Sequence, residues 1–279
     1  MHNNPLVSIL IVAYNPGEYL RYTLQSCIDQ TYANTEILIL DNASSEDISK
    51  YFPKSEKIRL IKSEKNLGPY NGLNLLLEKA QGEYIAIQDH DDIWHREKLE
   101  KQVHFLESHD EYVGCGTKTV MYYEADKKYF EYMLGHANYY TIHPSFVFRN
   151  NGKFRYDTAN EYFCDAYSVK KHLCHGEKLI HNLDESLTLH LVKKSSGNYS
   201  YKWYTLSWKN LRRAYELHSV SYATLTTLWE IMRKIVYPIL NFCKLGNWVN
   251  PIERIPFRLF GNEIKTTQGN EWWKKYVRD

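Results

Sequence analysis

From Val7 to Tyr14 the chain reads VSILIVAY, a continuous apolar, β-branched run without alternation. That pattern predicts a parallel strand buried on both faces. Asn15-Pro16-Gly17 breaks it, and Leu20, Leu24, Cys27 and Ile28 then recur at helical spacing across Tyr19–Gln30. Glu36–Leu40 reads as a second buried strand ending in Asp41. Asn42-Ala43-Ser44-Ser45 is a turn and cap leading into a short helix over Glu46–Tyr51. A third strand follows at Ile58–Lys62, a loop at Asn66–Pro69, and a helix at Tyr70–Ala80 with Leu73, Leu76 and Leu77 on one face. Tyr84–Gln88 is a fourth strand, running into Asp89-His90-Asp91-Asp92. This alternation predicts an α/β fold with an open, doubly wound sheet. Ligands bind such sheets beyond the carboxyl ends of the strands, where the chain sets Ala13–Asn15, Asp41 and Asp89–Asp92.

Downstream, the pattern predicts a helix over Trp94–Ser108, a hairpin of Tyr112–Tyr123 with Lys128–Tyr132, and a strand over Ser145–Arg149. A helix over Asn160–Cys174 stops near Gly176, and one or two short strands lie within Lys178–Leu191. From about Ser207 to Pro238 the spacing of Leu217, Val220, Leu225, Leu228, Ile231 and Ile235 is helical.

Composition narrows the class. With 279 residues, 43% hydrophobic and 24% charged, the chain can bury a full core and is not of disordered type. The net charge of +2 conceals an asymmetry: residues 1–200 carry 22 Lys and Arg against 27 Asp and Glu, residues 201–279 carry 13 against 6. An acidic first part argues against a nucleic-acid groove there. The five scattered cysteines lack any CxxC pair, which fits reduced thiols better than a disulfide frame or a zinc site. The first residues lack the basic and apolar regions of a signal peptide, and no run approaches the ~18 apolar residues of a spanning helix. A cytoplasmic location is expected.

Asp89, Asp91 and Asp92 set three carboxylates within four residues. Unpaired, they would repel and raise one another's pKa. A divalent cation resolves the repulsion, and hard oxygen ligands suit Mg²⁺ or Mn²⁺. Such an ion can offset the charge that grows on a diphosphate leaving group. The structural alternative is a helix N-cap formed by Asp91 or Asp92; the position at a strand end favours the cation.

VSILIVAYN at the start, LDNAS at Leu40–Ser44, NLGPYNGLN at Asn66–Asn74 and AQGEYIAIQDHDD at Ala80–Asp92, in that order, resemble the family 2 glycosyltransferases of GT-A fold. The resemblance covers about residues 5–195. It implies a Rossmann-like open mixed sheet flanked by helices, with a GT-A domain over 1–200 (a nucleotide-binding half at about 5–115, an acceptor half at about 116–200); the helical spacing after Ser207 adds a basic, aromatic helical extension over 201–279. It further implies inverting transfer of a sugar from a nucleotide-diphosphate donor to a glycan or lipid-linked acceptor, in bacterial surface polysaccharide assembly such as capsule, lipopolysaccharide or cell-wall glycan. On this resemblance Ala13, Tyr14, Asn15, Asp41, Asn66, Gly68, Asn71, Asp89 and His90 contact the nucleotide. Asp91 holds the Mn²⁺ or Mg²⁺, and Asp92 is a further candidate.

An acceptor hydroxyl needs a general base beside the anomeric carbon. Candidates are Glu161 and Asp165. The family pattern, an acidic pair about eleven residues before a helix-ending glycine, aligns Asp165 with the base and leaves Cys164 where a Glu is usual. Glu161 is a supporting acid or rival. Related enzymes carry Arg-x-His after the strand that here ends Leu189-His190-Leu191-Val192-Lys193, so Lys193 stands where a metal-binding His is expected. It is either a fixed charge beside the phosphates or a solvated loop lysine. His190 comes too early and reads as a packed or hydrogen-bonded residue. His143 is either a sugar or phosphate contact or a turn former.

Six of the seven tryptophans fall in the basic tail. A helix there with an apolar stripe and Arg212, Arg213, Arg233 and Lys234 suits an anionic membrane surface; the alternatives are a cover for the first domain or a dimer interface. A non-catalytic nucleotide-sugar-binding protein or scaffold is the rival function, motivated by Cys164 and Lys193. A dehydrogenase is excluded because Asn15-Pro16-Gly17 supplies no GxGxxG turn.

Overall fold

A computed structural model of the protein describes residues 4–124, 127–160, 162–193, 207–217, 220–243, 263–264 and 271–276. The apolar runs become the parallel strands β1 (Val7–Ala13), β2 (Thr35–Asp41), β3 (Ile58–Lys62) and β4 (Tyr84–Asp89), joined by helices α1 (Tyr19–Ile28) and α2 (Pro69–Leu77). Successive residues of a strand face opposite sides, and both sides here are covered. Val7, Ile9 and Ile11 pack with Leu20 and Leu24 of α1, whereas Leu10, Leu38 and Ile85 pack with Leu73 and Leu76 of α2. Each such fully buried aliphatic side chain contributes roughly 1.5–3 kcal/mol.

The rest of the sheet is mixed. After β5 (Ile93–Trp94) and α3 (Lys98–Ser108) come β6 (Gly114–Tyr123), β7 (Lys128–Tyr132), β8 (Ala137–Asn138) and β9 (Val147–Arg149). Helix α4 (Cys164–Ser168) precedes β10 (Ile180–Val192). Helices α5 (Trp208–Leu217) and α6 (Val220–Phe242) and the short β11 (Glu263–Ile264) follow. The main path of the eleven-stranded sheet runs β11-β7-β6-β9-β4-β1-β2-β3, with β10 pairing β6, β5 and β8 off that path. Strand β9 is antiparallel to both β4 and β6, and so bridges the two halves.

Several elements depart from the periodicity. The helix expected from Trp94 begins at Lys98, because Ile93–Trp94 pairs with β10 and the buried Trp94 indole donates to the Pro144 carbonyl at 2.8 Å. Glu46–Tyr51 yields only a 3₁₀ turn at Ile48–Tyr51, capped by Asp47. Ser145 belongs to a 3₁₀ turn, His143–Ser145, ahead of β9. The Asn160–Cys174 helix starts at Cys164, after Phe163 in a left-handed conformation (φ 49°), and passes into a π turn over Val169–Leu173. In place of one or two short strands within Lys178–Leu191 there is one long strand, β10 (Ile180–Val192), held by pairing with β6. Helix α6 continues through Pro238.

Two expectations for the tail change. Trp273 is buried among Tyr122, Leu189 and Leu191, and the Trp272 indole donates to the Ser186 carbonyl at 2.9 Å, so both dock on the sheet. Arg213 is likewise buried, not a surface cation. No helix among the described residues is long and apolar enough to cross a membrane. All five cysteines are free thiols.

Gly116 permits one close approach: a Cβ there would lie 1.9 Å from Thr141 Oγ1. Lys98 is the costly core residue. It is fully buried, its ammonium has no hydrogen-bond partner among the described residues, and it lies over the Trp94 ring at 3.9 Å, near the thiols of Cys27 and Cys115. Burial pushes its pKa from 10.5 down to about 7. The unfolded chain therefore binds more protons than the fold between those values, and stability rises with pH across that window. Lys98→Met should stabilise the protein by roughly 1–4 kcal/mol at pH 6.5, where the charge penalty is full, and should flatten the rise toward pH 10. Urea midpoints at both pH values check this; a variant weaker than the parent at pH 6.5 contradicts it.

Candidate active site

The chain steps outward from β1 through β2 and β3, then returns to the other side of β1 as β4. Connections after β1 and β4 therefore diverge at the carboxyl ends and leave a crevice. Register sets the chemistry at one level: Ala13 lies opposite Asp41, and Val12 opposite both Leu40 and Asp89. A cavity of about 790 Å³ opens there; Val12, Tyr14, Asn42, Asn66, Tyr70, Asp89, His90, Asp91, His143, Asp165 and His190 are on its wall. Asp165 and the β4 acids, far apart in sequence, thus face one space.

On the β1–β2 side, Tyr14 is half-exposed on the wall. The Asn42 amide donates to Asn66 Oδ1 at 3.0 Å, and its Oδ1 accepts from the Leu67 amide at 2.8 Å, which ties the loop before α2 to the end of β2. Ala13, Asn15, Asp41, Gly68 and Asn71 stand off the cavity wall and shape it instead. Asp41 accepts from the Ser44 amide, and Asn15 (φ 45°) accepts from Ser45. Gly68 (φ 75°) starts α2, where a left-handed conformation suits glycine. Asn71 donates to the Leu67 carbonyl.

The acidic end is closely balanced. Asp92 has no exposed surface; its Oδ1 accepts from the Leu191 amide at 2.9 Å and its Oδ2 is 2.7 Å from His190 Nδ1. Burial opposes a charge on His190, but Asp92, Asp89 and Asp91 outweigh it and push its pKa up to about 9. Burial and the neighbouring Asp92 push Asp89 up to about 8. Burial also works against the Asp91 carboxylate, yet His90 and Lys193 hold it below the usual range, with Lys193 Nζ at 2.9 Å. Lys193 also lies over the Tyr19 ring at 4.7 Å. It is therefore neither a metal ligand nor a solvated loop residue.

Among the described residues, the group able to hold a cation is Asp89, Asp92 and His190, whose ligand atoms lie within 4.8 Å of one another. One buried and one half-buried carboxylate beside an imidazole suit a divalent ion, which would relieve their repulsion. Asp91, the expected ligand, is outside this trio because Lys193 engages it. Asp92 is the buried anchor behind the wall, and its interactions are with β10, not a cap of α3.

At the opposite wall, Asp165 is the second residue of α4. His143 Nε2 lies 2.9 Å from the Tyr156 hydroxyl, and Tyr70 packs on both rings. Burial first, then the Asp165 charge, raises Tyr70 and Tyr156 well above the ordinary phenol range. Burial lowers His143 despite Asp165. Cys164 turns into the core, its thiol donating to the Asp157 carbonyl at 3.2 Å. Glu161 lies outside the described residues. Asn42, Tyr70 and Tyr156 are wall or near-wall residues without a separate signal in the sequence, although the first two lie within LDNAS and NLGPYNGLN.

The family model for glycosyl transferase family 2 matches residues 8–169. The chain is 39% identical over 105 residues to the Escherichia coli UDP-Glc:alpha-D-GlcNAc-diphosphoundecaprenol beta-1,3-glucosyltransferase WfaP, covering 37% of this chain and 42% of that protein. Matches of this kind span about two fifths of the curated relatives' length. Staphylococcus aureus TarS 1–349, solved with UDP-GlcNAc, superposes with a TM-score of 0.61 at 17% identity over 76% of this chain and 65% of that one. The mannosyltransferase PcManGT of Pyrobaculum calidifontis, solved with GDP-Man and Mn²⁺, gives 0.61 at 15% identity over 93% and 84%. These two likenesses establish the GT-A fold. With motif, fold and family model in agreement over the same residues, the chain belongs to glycosyl transferase family 2.

Proposed function

We propose that the protein transfers a sugar from a nucleotide diphosphate to an acceptor hydroxyl with inversion at the anomeric carbon. The observation that carries this reading is that Asp165 and the Asp89–Asp91 acids line one cavity of about 790 Å³, in the volume range of small-molecule sites. Tyr14, Asn42 and Asn66 form the nucleotide side. Asp165 removes the acceptor proton as that oxygen bonds to the anomeric carbon, and the bond from that carbon to the diphosphate oxygen breaks. Lys193 supplies positive charge beside the leaving group. Asp89, Asp92 and His190 are the residues that would hold Mn²⁺ or Mg²⁺, and the chemistry such an ion would supply is neutralisation of the departing diphosphate. Relatives support the donor class: the solved neighbours hold UDP-GlcNAc, UDP or GDP-Man. A lipid-diphosphate acceptor in the name of one relative, and teichuronic acid biosynthesis in that of another, support a glycan or lipid-linked acceptor in surface polysaccharide synthesis.

A lipid-linked acceptor calls for a membrane surface. Val220, Leu228, Ile235, Ile239 and Phe242 are exposed along α6, and they fall on one stripe at helical spacing. Together with the basic excess of residues 201–279, this supports peripheral binding to an anionic cytoplasmic leaflet. The second reading, a nucleotide-sugar-binding protein without turnover, draws on Cys164, which points away from the cleft.

UDP-, GDP- and dTDP-sugars, each with and without Mn²⁺, should include one that raises the melting temperature and releases nucleoside diphosphate. A panel in which none does so removes the transferase reading. Asp165→Asn should lower turnover about 10²–10⁴-fold while leaving nucleotide affinity within twofold; binding without turnover in the parent itself selects the second reading. In sedimentation with vesicles, the protein should follow phosphatidylglycerol and not pure phosphatidylcholine. Ile235→Asp with Ile239→Asp should abolish that difference, and unaltered sedimentation would discount α6 as the contact.

A further inference from the structure

We propose that Arg213 is a positioning residue for Asp165, so that α5 of the C-terminal extension completes the acceptor side of the cleft. This rests on the reading of Asp165 as the base. Helix α4 has five residues and starts from Phe163 at φ 49°. So short a helix does not hold itself in place, and a left-handed aromatic residue persists only where its surroundings over-determine it. Arg213 supplies that determination. Its side chain is 7% exposed. Its Nη2 donates to Asp157 Oδ2 at 2.7 Å, its Nη1 donates to the Asn160 carbonyl and, at 3.4 Å, to the Tyr162 carbonyl, and its guanidinium lies 4.1 Å from the centre of the Tyr167 ring. Asp157, Asn160 and Tyr162 lead into α4 and Tyr167 lies on it, so the contacts bracket Asp165 from both sides.

Other bonds join the same pieces. The Lys209 ammonium donates to the Ala159 carbonyl, and Lys170 Nζ donates to the carbonyls of Glu216 and Leu217 at 3.2 and 2.7 Å. The Asp157 amide donates to Ser168 Oγ at 2.8 Å, closing the segment on itself. Leu217, the last residue of α5, is on the cavity wall. The planar fork serves the carboxylate from Nη2 and the two carbonyls from Nη1, whereas an ammonium must serve all its acceptors from one nitrogen. None of these contacts touches Tyr14, Asn42 or Asn66. Loosening the clamp should therefore cost turnover and spare nucleotide binding.

Arg213→Lys in the full chain keeps the charge and removes the fork. Hydrogen exchange over residues 157–168 should speed at least about tenfold, with β1, β2 and β4 unchanged. Release of nucleoside diphosphate from UDP-glucose, UDP-N-acetylglucosamine or GDP-mannose should fall about ten- to a hundredfold, with the Kd for free UDP or GDP within twofold of the parent. Adding Asp165→Asn should bring no loss beyond that of Asp165→Asn alone, since a residue acting through Asp165 then has nothing to position. Asp157→Asn, which weakens the same fork from the other side, must move both readouts in the same direction and covers the case of a poorly folding Arg213 variant. Parent-like exchange across 157–168 overturns the proposal. So do losses that multiply in the double variant, or nucleotide binding lost in step with turnover. Parent-like turnover by Asp165→Asn would instead sink the base reading, a separate result that the exchange data do not share.

Discussion

Water does not reach the carboxylate of Asp92, and both of its oxygens are taken by β10, through the Leu191 amide and the His190 imidazole. A buried carboxylate survives only with such partners, so the segment after β4 and the far end of β10 must meet. The acidic end follows from that meeting. His190 is inserted among the carboxylates, Lys193 reaches Asp91 three residues later, and β5 pairs on β10 immediately after Asp92. The two halves of the sheet are thus joined at the place where charge is concentrated.

The first half of the fold could be read from local pattern because its strands are buried on both faces and its helices are separated by strong breakers. Apolar runs such as Val7–Tyr14 and Glu36–Leu40 need no distant partner to be recognised. Errors arose where a distant partner decides. Trp94 looks like the start of a helix, but its indole is claimed by Pro144 and its backbone by β10. Phe163 carries no local mark of its left-handed conformation (φ 49°). Lys178–Leu191 has too little alternation to reveal one long strand, and only pairing with β6 makes it so.

The same division holds for the cleft. Asp89, Asp91 and Asp165 could be singled out, and they do share a cavity. Their working neighbours could not be assigned from spacing. Spacing alone puts His190 too early for a ligand, yet a strand registers by hydrogen bonds, and those place its ring against Asp92. Lys193 left two readings open until its distance to Asp91 was known. Several residues of the quoted motifs hold turns and helix starts instead of lining the cleft, because positive φ values and backbone amides are as demanding as a ligand.

Strand β10 is sealed from behind by Trp272 and Trp273. The bond from the Trp272 indole spans 86 positions of sequence. A growing chain that already contains every acid of the cleft therefore still lacks the apolar cover over Leu189 and Leu191. Bringing Trp272 and Trp273 onto β10 costs closure entropy over a long loop, which the burial of Leu189, Leu191 and Trp273 offsets.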